Sequence, residues 1–250
     1  YYDMMWAVGA TAGPLLVAAA VAAGNWRLAY FGLALAFVPV VALVLLLPTP
    51  SVDGGDVPLD LAELRRIGRR PEVVAMAAGL FLSTGFEAGL FTWVPTYAQG
   101  RLPDTLATAS LSVMLAAYIP GRFLSGWLSE RVGYVRLSVG LVGLTIPAFG
   151  YTFFVAEGYG LLVGLFAVGL TLSGFYPTML AYAVPEHSAP VNATASVTSS
   201  AGFGAVPAAM GFIISGSDIG RAMQLLAVPL AVLAVLVVGA WYRADSVDSA

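Results

Sequence analysis

The chain has 250 residues, 59% of them hydrophobic and 10% charged, with 14 acidic and 11 basic residues and a net charge of −3. A soluble domain carries about 25% charged residues, so this composition excludes an ordinary soluble enzyme and points to a membrane protein with several spans. With no cysteine and a single histidine, His187, the chain cannot build a disulfide framework or a thiolate or histidine metal cluster, and its acidic balance argues against a nucleic-acid surface or a polybasic lipid-binding tail.

Eight apolar segments long enough to cross a bilayer are expected near 4–23, 28–48, 73–97, 105–127, 134–155, 158–183, 191–215 and 221–242. None alternates with period two, which argues against a membrane barrel. Most connections are short, so consecutive helices should be antiparallel. No secretory leader is visible. The chain opens at the lip of its first helix without a methionine at position 1, as an incomplete chain would.

The first helix carries Gly9-x-x-x-Gly13-Pro14, a small-residue face followed by a residue that can bend it. After the second helix, residues 49–70 form a polar linker, rich in Gly, Pro and Asp and then basic. Residues 59–67 within it are either a short amphipathic helix or an irregular solvated stretch. The linker separates a two-helix piece, 1–48, from a six-helix piece, 71–243, with a short tail at 244–250.

The third helix holds Glu87 just past its middle. An ionisable group at that depth costs about 2.5 kcal/mol or more, and such groups mark a pathway, a partner or a proton site. At about 100° per residue, Ser83, Thr84 and Phe91 fall on the Glu87 face, with the two hydroxyls beside the acid in one polar patch. Three readings stay open for Glu87: a proton-coupling residue or ligand for a polar solute, a structural acid paired with a helix outside this chain, or an acid that reaches water. No arginine is expected deep within a span, so no internal ion pair is visible for it.

The fourth helix carries Tyr118, a weaker site candidate, and ends in Gly121-Arg122-Phe123-Leu124-Ser125-Gly126-Trp127-Leu128-Ser129-Glu130-Arg131-Val132-Gly133. Gly126-x-x-x-Glu130-Arg131-x-Gly133 resembles the signature loop of the major facilitator superfamily. Tyr134 and Val135 depart from the basic pair usual after it, and Arg136 is the substitute at hand. In that resemblance Arg122, Gly126, Glu130, Arg131 and Gly133 are gating residues. Gly126 is expected to allow close helix approach, and Glu130 to pair with Arg131 or Arg122 or to face a helix N-terminus, here the start of the first helix near Asp3 to Trp6.

Two further segments are similar to fucose-type sugar permeases of the same superfamily. They are Gly85-x-Glu87 followed by Trp93-x-x-x-Tyr97, and Gly174-Phe175-Tyr176-Pro177-Thr178 in the sixth helix, where Tyr176 and Thr178 could offer hydroxyls to a solute. Gly9-x-x-x-Gly13-Pro14 looks like the superfamily's fifth-helix motif. Gly9 and Gly202, like Pro14 and Pro207, are separated by the same offset, so helices one and two resemble helices seven and eight.

The expected fold is therefore an all-α membrane protein, a major facilitator-type bundle containing the last two helices of one six-helix half and the whole of the other. Arginine counts orient it. Arg65, Arg66, Arg69, Arg70, Arg122, Arg131, Arg136 and Arg243 fall on one side and Arg27, Arg101 and Arg221 on the other, which places the linker and the C-terminus in the cytoplasm.

The resemblance implies a monomeric secondary transporter of the cell membrane, without metal or cofactor, moving a small sugar-like solute by alternating access with a proton or other coupling ion. A drug/proton efflux antiporter is the alternative within transport, and a non-transporting receptor or assembly subunit the alternative outside it. No catalytic constellation is visible, so no enzyme activity is expected.

Overall fold

A computed structural model describes residues 2–48, 66, 68–183, 189–216 and 218–248. Most of the linker and His187 fall outside them, and with them the amphipathic reading of 59–67.

Eight helices are long and apolar enough to cross a membrane. They are α1 (Tyr2–Ala22), α2 (Arg27–Leu46), α3 (Pro71–Ala98), α4 (Asp104–Val132), α5 (Tyr134–Val155), α6 (Tyr159–Ala181), α7 (Ala189–Gly216) and α8 (Ile219–Arg243). Every expected span is present. The main departure is α4, which runs past residue 127 to Val132, so that most of the signature segment is helix rather than loop. Nothing in Ser129-Glu130-Arg131-Val132 breaks a helix. Gly133, at φ 80° and ψ 154°, does. That backbone conformation is essentially open to glycine alone, which gives the motif's last glycine a physical reason.

Prolines punctuate the spans. A proline ring clashes with the carbonyl four residues earlier and removes one hydrogen bond. The first part of α4 ends at Ala116, four residues before Pro120, and that of α8 at Leu225, four before Pro229. In α6 the turn at Ser173 and Gly174 begins four residues before Pro177. The last turns of α5, Tyr151–Val155, widen to π-helix.

Helices α3 to α8 share one core. Rings stack through it from Phe86 to Phe149 (5.4 Å between centroids), on to Phe153 (4.8 Å) and to Tyr97 (5.3 Å). Around it, small residues let backbones touch, as membrane helices require. At the α3–α7 crossing a Cβ on Gly85 would stand 3.0 Å from the Gly202 carbonyl oxygen, and one on Gly202 would run into the Phe81 backbone. Thr84 Oγ1 donates to the Ser199 carbonyl at 2.9 Å, and Trp93 Nε1 donates to the Pro207 carbonyl at 3.3 Å, across the same crossing. Between α4 and α6, Gly121 packs on Ser173 and the Leu170 carbonyl, and Gly174 packs on Ser125.

Helix α2 is different, since only 6% of its span is buried and Leu46 is 83% exposed. A small second core joins α1 to the rest, with Ala7, Leu115 and Tyr118 buried and Ala10, Phe91, Leu111 and Ile119 packed around them.

Candidate functional site

Four residues of α4 build one wall of the site. Leu111, Leu115, Tyr118 and Arg122 recur at helical spacing and therefore share a stripe. Leu111, Leu115 and Tyr118 of that stripe meet α1. On α3, Glu87 and Phe91 are one turn apart and share a face in the same way.

The two stripes meet at Tyr118. Its side chain is fully buried, and its hydroxyl donates to Glu87 Oε1 at 2.7 Å. A hydrogen bond to a carboxylate is roughly twice as strong as one between neutral groups. Trp6 of α1 completes an aromatic cluster, with its ring centroid 6.0 Å from that of Tyr118 and 6.4 Å from that of Phe91. Phe91 and Tyr118 are themselves 6.1 Å apart. The Arg122 guanidinium lies over Trp6 at 4.6 Å and beside Tyr118 at 5.6 Å. Cation–π contacts of this kind contribute about 0.5–2 kcal/mol each.

Arg122 therefore corrects the sequence reading. It lies inside the span of α4, well before its end at Val132, and its charge acts on both Glu87 and Tyr118. The expected span to residue 127 already contains Arg122, and counting that residue with the cytoplasmic helix end is what separated it from Glu87.

The Glu87 patch is also smaller than the helical wheel made it. Ser83 Oγ turns back to the Leu80 carbonyl at 3.3 Å. Thr84 Oγ1 donates to the Leu80 carbonyl at 2.6 Å and to Ser199 of α7, so it serves helix packing. Hydroxyls in apolar helices bond the carbonyl one turn back, and angular position alone does not reveal it. Phe91 and Tyr118 are the expected residues that the structure gathers around Glu87.

The signature segment forms a second region. A cavity of about 550 Å³ lies between α4 and α6, lined by Arg122, Gly126, Glu130, Tyr134, Pro177 and Thr178 among others. Two sequence motifs thus meet here, and Arg122 belongs to this cavity as well as to the Tyr118 cluster. Gly126 does not permit a close approach among the described residues, since no atom lies within 4 Å of where its Cβ would stand. The close contacts on this helix fall at Gly121 instead. Arg131, one of three partners open to Glu130, lies over the Trp127 ring at 3.6 Å, so an aromatic face holds its cation. Glu130 is exposed on the cavity wall.

Thr178 Oγ1 donates to the Gly174 carbonyl at 2.5 Å, which leaves that hydroxyl engaged within α6. Tyr176 is half-buried against the main core. Gly9 and Gly13 meet no atom within 4 Å where a Cβ would be, so among the described residues α1 does not use these two glycines for a close backbone approach. The sequence sets Trp6 near Glu130, not beside Glu87, and the structure gathers it into the Tyr118 cluster. The signal for it was present, because Trp6, Ala10 and Gly13 follow one another along one face of α1.

The sequence model described as Major Facilitator Superfamily matches residues 1–184. The glucose/mannose transporter GlcP of Bacillus subtilis (strain 168) is 24% identical over 197 residues, which is 72% of this chain and 48% of that protein. Among solved structures, a single-site variant of the fucose:proton symporter FucP of E. coli superposes with a TM-score of 0.65 at 21% identity, over 85% of this chain and 53% of FucP. FucP in its outward conformation gives the same TM-score of 0.65 at 20% identity, over 84% of this chain and 53% of FucP. The chain spans about half the length of these relatives. A multi-pass helical membrane protein matched over most of its length in this way belongs to the major facilitator superfamily.

Proposed function

We propose that the intact protein is a secondary transporter for a small sugar-like solute, working by alternating access and coupled to protons through Glu87. The observation that carries this reading is the bond from buried Tyr118 to Glu87, set among Phe91, Trp6 and Arg122. A membrane-embedded carboxylate is costly, and here it is held at one defined geometry beside aromatic faces and a cation. Carboxylate and guanidinium groups bind sugar hydroxyls through paired hydrogen bonds, and aromatic rings cover the apolar faces of a pyranose.

The relatives support the solute class. One is named a glucose/mannose transporter and the other a fucose:proton symporter. In this reading residues 1–48 belong to one helical half and 71–243 to the other, joined by the 49–70 linker. The arginine-rich side and the C-terminus face the cytoplasm of the cell membrane. Gly126, Glu130, Arg131 and Gly133 then form part of the cytoplasmic gate, and Tyr176 and Thr178 lie along α6 on its approach. The coupling ion is a proton because Glu87 exchanges one without needing metal geometry.

Uptake into vesicles bearing the intact protein tests this directly. With an inward proton gradient, D-glucose, D-mannose or L-fucose should accumulate above its external concentration. Absence of uptake for all three, together with resistance to cationic dyes, would move the reading to efflux.

A further inference from the structure

Helix α3, which carries Glu87, is gripped by α5 at two points on one face. Phe86 and Tyr97 are about three full turns apart, so they share that face. Phe86 meets Phe149 and Tyr97 meets Phe153, with 5.4 and 5.3 Å between ring centroids. Phe149 and Phe153 are themselves 4.8 Å apart on α5. All four rings are buried. Arg101 closes on Tyr97 from the end of α3, with its guanidinium 4.0 Å over the ring and its Nη1 donating to the Tyr97 carbonyl at 2.8 Å. Glu87 follows Phe86 in the chain, about 100° further round the helix. Turning α3 to re-aim Glu87 therefore means sliding Phe86 and Tyr97 off their partners.

The outer partner, Phe153, lies in the π turn that ends α5. The last carbonyls of a helix have no donor within it, and in a membrane protein another group must supply one. For Phe153 that group comes from α8, where Gln224 Nε2 donates to its carbonyl at 3.1 Å. Gln224 stands inside the α8 span, where an amide is costly without a partner, so each group satisfies the other. We propose that Gln224 is a positioning residue for Glu87. By holding the π turn it sets the outer of the two aromatic grips that fix α3 about its axis, and with them the direction in which Glu87 meets Tyr118. The inference rests on the transport reading above and adds a residue that acts on the site only through Phe153 and the stacked rings.

Gln224→Met keeps the length of the side chain and removes its donor. The experiment follows sugar-for-sugar exchange of D-glucose, D-mannose or L-fucose in vesicles bearing the intact protein. In Gln224→Met the half-saturating sugar concentration should rise about five- to ten-fold, while the maximal exchange rate stays within about two-fold of the parent. Tyr118→Phe removes the contact that Gln224 serves and should raise the same concentration. Added to Tyr118→Phe, Gln224→Met should raise it no more than about two-fold further, because residues that act through one contact are not additive. Gln224→Asn, whose amide is one methylene short of the Phe153 carbonyl, should match Gln224→Met, and it carries the test if the methionine variant fails to reach the membrane.

A parental half-saturating concentration in Gln224→Met or Gln224→Asn overturns the proposal, even where the variant melts at a lower temperature, because Gln224 would then serve stability alone. Fold-changes that multiply in the double variant also overturn it, since Gln224 would act apart from the Tyr118 to Glu87 contact. In either case a parent that exchanges sugar leaves the transport reading standing. A parent that exchanges none of the three sugars removes the transport reading and the proposal together.

Discussion

Glu87→Gln should abolish uphill sugar accumulation in the intact protein, lowering it by about 100-fold, while sugar-for-sugar exchange stays within a few-fold of the parent. The amide keeps the shape of the carboxylate and an oxygen that can accept from Tyr118, so the 2.7 Å contact survives the change. What it lacks is a site for the transported proton. The variant also removes an ionisable group from a membrane helix, which relieves about 2.5 kcal/mol or more of desolvation. It should therefore unfold at the same temperature as the parent or higher. Loss of exchange and accumulation together, with a lowered unfolding temperature, would assign Glu87 to structure.

The second large effect is on stability. Gly202→Val should cost about 3 kcal/mol or more, because its Cβ falls on the Phe81 backbone, which cannot move aside as a side chain would. The α3–α7 crossing depends on this contact and on the adjacent one at Gly85, and the Thr84 to Ser199 bond spans it. A Cβ on Gly204, two residues on, would meet no atom within 4 Å, so Gly204→Ala should change stability by no more than about 0.5 kcal/mol. Thermal unfolding in detergent of both variants in parallel checks the contrast. Equal melting temperatures would show that the crossing relaxes.

The spans were legible because hydropathy is a property of whole segments and survives errors of a few residues. The end of α4 was less so. Ser125, Ser129, Glu130 and Arg131 lower the hydropathy without breaking the helix, and the stop comes only at Gly133, where φ is positive. The superfamily motif was readable from Gly126, Glu130, Arg131 and Gly133, but the choice among Arg131, Arg122 and a helix N-terminus as partner of Glu130 was not. Arg131 had an aromatic face one turn away in Trp127, and sequence spacing does not rank that against a carboxylate.

Within the site, Glu87 and Phe91 could be placed together by helical period alone. Ser83 and Thr84 shared their face, but the carbonyl of Leu80 captured both hydroxyls. Tyr118 and Arg122 became central only when α4 was laid against α3. Trp6 required a third helix and a contact far along the chain. Pairings between helices are set by packing, and packing at the α1 seam turns on a few small residues such as Ala7 and Ala10 that carry little signal of their own.

The claim on which the account rests is that sugar and protons move together past Glu87. It is tested most directly by adding D-glucose, D-mannose or L-fucose to weakly buffered, de-energised vesicles containing the intact protein and recording external pH. The account predicts a sugar-dependent alkalinisation as protons enter with the solute, absent in Glu87→Gln. Sugar uptake without any pH change, or an equal pH change in Glu87→Gln, would contradict it.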